Sequence, residues 1–214
     1  MEGKELEERK ATLADQLKAK AATMSKGALE EICLILVDTS TSMCESINRI
    51  GGRSKLEAVR LAIPNLRALN SRLMYGLIGF GDSAEIIQNL TMQFALILSQ
   101  GERLTPNGTT NMTDGMRKGL GILGERFAEK KRMILLSDGH ANIEEGQLDM
   151  MVTACIERVI TVDTIAFGET ADRKRLREIA IRTGGVFYEA GDELQLQQAY
   201  SKLNYNVRYL EHKK

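Results

Sequence analysis

The chain has 214 residues, of which 43% are hydrophobic, enough for one domain with a buried core and short extensions. Its 29 basic and 29 acidic residues balance, so the composition does not indicate a positively charged surface that would bind nucleic acid. It has no run of about 18 apolar residues, so no membrane-spanning helix is expected, and its charged start, Met1 to Glu5, lacks the apolar stretch of a secretory signal.

In chain order, the pattern of apolar residues predicts helices that alternate with strands. A helix rich in Glu, Lys, Ala and Leu is predicted first, over residues 2–29. The predicted strands that follow are 32–37, 74–80, 84–89, 133–137, 159–167 and 186–188, and the predicted helices are 54–66, 113–129, 144–158, 172–182 and 192–203. Pro64 predicts a kink in the first of these helices, and residues 94–107 are predicted to be a mixed segment near the site.

This alternation predicts an α/β fold with a Rossmann-like open, mostly parallel sheet and helices on both faces. Only a short connection separates the second and third strands, which predicts one antiparallel edge strand. We therefore expect an N-terminal helical extension at 1–29, one α/β domain at 30–204 and a C-terminal tail at 205–214.

Polar residues at alternate positions follow the first apolar strand, in the order Asp38-Thr39-Ser40-Thr41-Ser42. A loop at a strand end can aim Asp38, Ser40 and Ser42 at one point, and oxygen ligands suit hard cations such as Mg²⁺. The alternative is a polar turn with a helix cap, since Asp, Ser and Thr all favour such positions.

Two later segments favour the metal site. Thr110 precedes a predicted helix, and Asp138 directly follows the predicted strand in the segment Met133-Ile134-Leu135-Leu136-Ser137-Asp138-Gly139. Loops at the carboxyl ends of parallel strands converge on one crevice in an open α/β sheet, so these residues are expected to meet the first loop there. Asp82 ends a neighbouring strand and is expected either behind the ligands or as a simple loop acid.

The order of DxSxS, a Thr after a Gly-containing turn, and an Asp in a strand-end SDG resembles the metal-ion-dependent adhesion site of von Willebrand factor A domains. Residues 77–82 and 162–168 are similar to the second and fifth core strands of that family, and the resemblance extends over about 30–203. Thr109 stands where many members have a second Gly, so Thr109 and Thr110 remain alternative ligands; Thr110 fits the family spacing better because Asn111 follows it.

The resemblance implies one Mg²⁺ ion, with Mn²⁺ as a substitute, held by five residues: Asp38, Ser40, Ser42, Thr110 and Asp138. One coordination position would stay open for an Asp or Glu of a partner protein, which is binding chemistry without covalent turnover. Domains of this family inside cells often work with ATPases or as assembly adaptors. The expected function is therefore a Mg²⁺-dependent protein-interaction module, and the sequence names neither the partner nor the oligomeric state.

Two alternatives remain at the sequence level. A phosphohydrolase of the haloacid dehalogenase type also places an Asp after the first strand, but it needs a second carboxyl two residues later, where this chain has Ser40. A metal-independent scaffold could instead recognise partners with the N-terminal helix. A nucleotide loop is not expected, because Gly119, Gly121 and Gly124 form GxGxxG inside a predicted helix, where we interpret them as a packing surface.

The cysteines suggest the compartment. Cys33, Cys44 and Cys155 are odd in number and widely spaced, without a CxxC pair or a zinc-binding pattern. Free thiols persist in a reducing compartment, so a cytoplasmic protein is expected.

Overall fold

The computed structural model describes residues 31–47, 52–66, 73–139 and 145–209. The helix predicted at 2–29 and the last residues of the predicted tail, 210–214, lie outside the described residues.

The described strands form one six-stranded sheet in the order β3-β2-β1-β4-β5-β6. The strands are β1 Glu31–Asp38, β2 Leu73–Phe80, β3 Ala84–Thr91, β4 Lys130–Ser137, β5 Ile160–Phe167 and β6 Phe187–Ala190. The edge strand β3 is antiparallel to β2, while the other neighbouring pairs are parallel. The mostly parallel sheet with one antiparallel edge strand is confirmed.

Six α-helices are described around the sheet. They are α1 Lys55–Ala62, α2 Phe94–Gly101, α3 Met112–Gly124, α4 Glu145–Glu157, α5 Arg173–Thr183 and α6 Glu193–Tyr209. Two 3₁₀ turns, Thr41–Cys44 and Ile63–Leu66, follow β1 and α1. Within the described part of the chain, no helix has both the length and the apolar character needed to cross a lipid bilayer.

A hydrophobic core lies on each face of the sheet. Alternate residues of β1 point to opposite faces, so Cys33 and Ile35 pack with α1, α2 and α6. Ile32 and Leu34 pack on the other face with α3, α4 and α5. Burial on both faces explains why β1 reads as a continuous apolar run, and the helices on both faces are confirmed.

Several predicted elements differ from the observed ones. The segment predicted as mixed contains α2, whose Phe94 and Ile97 lie about one turn apart and are both buried. Helix α3 ends at Gly124 rather than 129, and β4 begins at Lys130 because that residue pairs in register with Glu31. Helix α6 continues to Tyr209 rather than ending at 203.

The strand order reverses direction between β1 and β4. From β1 the chain builds outward to β2 and β3, and then returns to add β4 on the other side. Such a switch point opens a crevice at the carboxyl ends of the strands. The register pairs Val37 with Leu136, which brings Asp38 and Ser137 side by side at this edge.

Candidate metal centre

Asp38, the last residue of β1, is fully buried and has both carboxylate oxygens in use. Its Oδ1 accepts a hydrogen bond from the Ser40 backbone N–H at 2.8 Å. Its Oδ2 accepts one from the Ser137 hydroxyl at 2.6 Å. The Asp38 carboxylate therefore orients the loop that begins at Ser40 and is itself held by the end of β4.

The two serines of this loop face the crevice, while the threonine between them does not. Ser40 Oγ and Ser42 Oγ lie 3.0 Å apart, and the Ser42 hydroxyl donates to Asp138 Oδ1 at 2.8 Å. Thr41 is exposed, and its hydroxyl donates instead to the Gly108 carbonyl at 2.9 Å. Ser40 and Ser42, at alternate positions as expected from the sequence, therefore form a continuous chain of contacts with Asp138.

Asp138 is fully buried and is shared between Ser42 and a lysine. Lys55 Nζ lies 2.7 Å from Asp138 Oδ2 and 3.0 Å from Glu45 Oε2. The backbone of Asp138 is also fixed, because its carbonyl accepts a hydrogen bond from the Thr170 hydroxyl at 2.7 Å. The two oxygens of Asp138 therefore have different partners: a hydroxyl of the predicted site on one and an ammonium group on the other.

The two threonines before α3 point in different directions. Thr109 is exposed, and Asp82 Oδ1 accepts hydrogen bonds from its backbone N–H at 2.7 Å and its hydroxyl at 2.9 Å. Thr110 is buried, and its Oγ1 would lie only 3.1 Å from a Cβ placed on Gly139, so it faces the turn after Asp138. In the described part of the chain the Thr110 hydroxyl has no hydrogen-bond partner, so it is Thr110 that presents a spare oxygen to the crevice.

Backbone contacts hold the Thr110 loop against the β2–β3 hairpin. The Asn111 N–H donates to the Gly81 carbonyl at 2.9 Å, and the Asn111 side chain caps α3 by accepting from the Asp114 N–H at 3.0 Å. A Cβ on Gly81 would lie 1.8 Å from the Asn107 carbonyl oxygen, so the close approach of the two loops requires glycine. Asp82, considered at the sequence level as a residue behind the ligands, holds the loop through Thr109.

The crevice alters the acidity of its buried groups. Burial raises the pKa of Asp38 to about 6, against the opposing effect of hydrogen bonds from Ser137 and Ser40, and the nearby charge of Asp138 raises it further. Burial alone would lower the pKa of Lys55, but its hydrogen bonds and charge attraction to Asp138 and Glu45 outweigh burial, and the net direction is upward. Lys55 therefore stays protonated at neutral pH.

A sequence-family model described as the von Willebrand factor type A domain matches residues 33–140, about half of the chain. The match includes all five predicted site residues. The chain belongs to the von Willebrand factor type A domain family. Domains of this family commonly mediate protein–protein interactions and are generally not enzymes.

Solved structures of the same fold support the assignment of this von Willebrand factor A domain. A von Willebrand factor type A protein from Catenulispora acidiphila is 22% identical with a TM-score of 0.70, covering 82% of this chain and 42% of that one. The PilB minor pilin from Streptococcus sanguinis is 20% identical with a TM-score of 0.68, covering 85% of this chain and 62% of that one. A conserved hypothetical protein, BatB from Bacteroides thetaiotaomicron, is 18% identical with a TM-score of 0.68, covering 84% of this chain and 99% of that one.

These likenesses concern the fold alone, because all three identities are low. The chain spans less than two thirds of the length of the first two of these proteins. No curated protein matches the sequence.

The residues of the candidate site fit a hard divalent cation such as Mg²⁺. Neighbouring ligands of an octahedral ion with bonds of about 2.1 Å lie about 3.0 Å apart, close to the spacing of Ser40 Oγ from Ser42 Oγ and of Ser42 Oγ from Asp138 Oδ1. The donors are all oxygens, two carboxylates and three hydroxyls. No cluster of three or more His, Cys, Asp or Glu side chains that could hold a metal occurs among the described residues, so a carboxylate-rich cage is not the alternative there.

Two residues of the site were missed at the sequence level. Ser137 lies in the Ser137-Asp138-Gly139 segment that was singled out, but only Asp138 was given a role. Lys55 is the first residue of α1, where the helix dipole disfavours a cation. Its contact with Asp138 depends on how α1 packs against the sheet, so the sequence contains no direct signal for it.

Proposed function

We propose that this domain is a Mg²⁺-dependent protein-interaction module that binds an Asp or Glu side chain of a partner protein. The residues that would hold the ion are Asp38, Ser40, Ser42, Thr110 and Asp138, and Mn²⁺ would substitute for Mg²⁺. The observation that carries the proposal is the contact chain from Ser40 through Ser42 to Asp138, with the spare hydroxyl of Thr110 facing the same turn.

The balance of ligands explains why such a site would bind a partner acid. Three of the five donors are neutral hydroxyls, so a bound cation would retain its attraction for a further carboxylate. The carboxylates are tied by hydrogen bonds, Asp38 to Ser137 and Asp138 to Ser42, so they would orient ligands without enclosing the ion. One coordination position would remain for the partner.

We place this module in a reducing, cytoplasmic setting, as an adaptor in a multiprotein complex with an ATPase or an assembly factor. Three free cysteines support the setting, with Cys33 and Cys155 buried and Cys44 exposed. The general role of the family in protein interaction supports the adaptor role.

The proposal excludes phosphoester hydrolysis of the haloacid dehalogenase type. That reaction needs an acid/base carboxyl at position 40, and Ser40 instead pairs its hydroxyl with Ser42. We expect no Mg²⁺-dependent turnover of phosphate esters above buffer. Turnover that disappears in Asp38→Asn would refute this part of the proposal.

Partner capture tests the function directly. The protein, immobilised and exposed to extract, should retain partners in millimolar Mg²⁺ and release them in EDTA, and Ser42→Ala should lose the same partners. Ser83→Ala is the matched control, because Ser83 is exposed in the neighbouring hairpin loop. Partners that remain bound in EDTA and to Ser42→Ala would instead support the metal-independent scaffold.

A further inference from the structure

Lys55 gives the site an internal positive charge that none of the five proposed ligands supplies. Its side chain is only 8% exposed, and its ammonium group touches Asp138, which is fully buried. Gly168, with a φ of +84°, leaves the space in which the lysine chain lies, since a Cβ there would come 3.3 Å from Lys55 Cε. The lysine is therefore enclosed at the site rather than lying over its surface.

The lysine and the proposed ion have separate positions on Asp138. Lys55 takes Oδ2 at 2.7 Å, while Oδ1 faces Ser42. A cation among the hydroxyls would lie on the Oδ1 side, so it need not displace the ammonium group. Both positive charges would act on the same carboxylate at once.

We propose that Lys55 sets the charge balance of the adhesion site, weakening its hold on the divalent ion and strengthening the hold of the loaded site on a partner's carboxylate. This inference rests on the proposed function. Among the described residues, the buried charges at the site are two acids, Asp38 and Asp138, and one base, Lys55, so these groups carry one net negative charge before a divalent ion binds and one net positive charge afterwards. Without the lysine the loaded site would be neutral, and its attraction for a carboxylate would fall.

Glu45 does not cancel this effect. Its carboxylate lies 3.0 Å from Lys55 Nζ on the outer side, and its side chain is 64% exposed. Water and salt screen an exposed charge far more than a buried one. Glu45 therefore serves as the control position at which one of the two partners of Lys55 is removed without altering the buried charges.

The test measures two affinities that are expected to change in opposite directions. Calorimetry with Mn²⁺ in carboxylate-free buffer gives the first, and relaxation of acetate methyl protons by the bound Mn²⁺ gives the second. We expect Lys55→Met to bind Mn²⁺ about tenfold tighter or more and acetate about tenfold more weakly, as removal of a buried charge near both ions implies. Glu45→Gln should stay within about twofold of wild type for both, because it leaves the buried charges intact.

Lys55→Gln guards against a folding defect, because its amide can still donate a hydrogen bond to Asp138 but carries no charge. It should shift both affinities as Lys55→Met does. Lysine variants that lower both affinities together, or change neither, would overturn the inference while the metal site stands. A folded wild-type protein that binds no Mn²⁺ would overturn the proposed function, and this inference with it.

Discussion

Asp38 is the residue at which burial and function conflict most clearly. Its carboxylate is fully buried and carries a pKa raised to about 6, above the value of about 4 that an unfolded chain gives it. Ionised Asp38 is therefore unfavourable in the metal-free fold. A bound divalent ion would remove that penalty. Such a penalty in the absence of metal is expected of a residue that orients metal ligands.

The pH dependence of stability should report this penalty. In EDTA the folded protein holds a proton on Asp38 to higher pH than the unfolded chain does, so stability is lost as pH rises from about 4 through 6. A pKa of about 6 in the fold, against about 4 in the unfolded chain, corresponds to about 3 kcal/mol in the free energy of unfolding. Urea denaturation across this range should show the loss in wild type and not in Asp38→Asn.

Asp82→Asn is the control for that measurement. Hydrogen bonds from Thr109 lower the pKa of Asp82, so this exposed residue favours folding above its unfolded pKa and loses that effect only at lower pH. The loss of stability between pH 4 and 6 should persist in Asp82→Asn. If Asp38→Asn shows the same loss as wild type, the buried Asp38 is not its source.

Thr110 offers a sharper separation of binding from folding. Thr110 is a buried residue, and no hydrogen bond of its hydroxyl is observed in the described part of the chain, so Thr110→Val should leave the free energy of unfolding in EDTA within about 1 kcal/mol of wild type. The same variant should lose metal binding, because the methyl group that replaces the hydroxyl has no oxygen to offer. Thermal melts in EDTA and Mn²⁺ titrations measure the two effects.

Thr113→Val is the matched control, since the Thr113 hydroxyl is buried without a partner among the described residues and is not one of the proposed ligands. It should keep metal binding at the wild-type level. A Thr110→Val protein that binds metal normally would remove Thr110 from the ligand set.

At the scale of single residues, the acids and hydroxyls of the site could be predicted from the sequence, but the residues that contact them could not. Asp38, Ser40 and Ser42 were found because a strand end followed by alternate polar residues is visible in the sequence. Lys55 was not found, because it reaches Asp138 only through the packing of α1 against the sheet. The choice between Thr109 and Thr110 also needed the fold, since the contact of Thr109 with Asp82 joins loops far apart in sequence.

At the scale of elements, three loops meet because their backbones bond to one another. The Thr39 N–H donates to the Phe80 carbonyl at 2.8 Å, and the Asn107 N–H donates to the Thr39 carbonyl at 2.6 Å. The loops after β1, after β2 and before α3 are therefore tied to one another by backbone hydrogen bonds. A change that separates any two of them should disturb the site even without touching a ligand.

Gly81→Ala tests this dependence. The added Cβ would overlap the Asn107 carbonyl oxygen, which must move and take the Thr110 loop with it. We expect a loss of metal affinity of about tenfold or more, since a ligand displaced by about 1 Å is no longer held in place. Mn²⁺ titration of the folded variant measures it.

Gly121→Ala is the control in the neighbouring helix α3. A Cβ at Gly121 would meet nothing within 4 Å, so this substitution should raise the free energy of unfolding by about 0.5–1 kcal/mol and leave metal affinity unchanged. Equal metal affinity in Gly81→Ala and Gly121→Ala would show that the loops do not position the ligands.

The elements themselves were mostly predictable because the periodic patterns are strong. The GxGxxG sequence does lie inside a helix, and Gly119 packs closely against Met133, with a Cβ there 3.0 Å from the methionine methyl group. Gly121, in contrast, faces open space, so the packing interpretation holds for only part of that motif. Helix α2 was missed because its apolar spacing covers barely two turns, too short for periodicity to distinguish a helix from a loop.

At the scale of the whole molecule, the strand order of the sheet explains why the candidate metal site lies at one edge. The switch between β1 and β4 places the ends of two buried strands side by side; β1 ends at Asp38, and Asp138 directly follows the last residue of β4. This architecture followed from the alternation of strands and helices. The charge balance of the crevice could not be predicted in this way, because it depends on which helix N-terminus lies beside the crevice.

For the whole molecule, we expect metal and partner to bind cooperatively. A carboxylate would complete the coordination of the ion, so acetate should raise the affinity for Mn²⁺ by the same factor by which Mn²⁺ raises the affinity for acetate. Titration of Mn²⁺ at two acetate concentrations measures one half of this relation, and titration of acetate at two Mn²⁺ concentrations measures the other. Factors close to one in both titrations would mean that acetate binds away from the ion.

The number of Mn²⁺ ions bound per chain is the most direct test of the proposed metal site. The electron paramagnetic resonance signal of free Mn²⁺ is followed as Mn²⁺ is added to the folded protein at neutral pH. We predict that the signal stays suppressed until one Mn²⁺ per chain is bound, that Mg²⁺ restores it by competition, and that Ser42→Ala abolishes the suppression. A free signal that rises in proportion from the first addition, with the wild-type protein folded, would contradict the account.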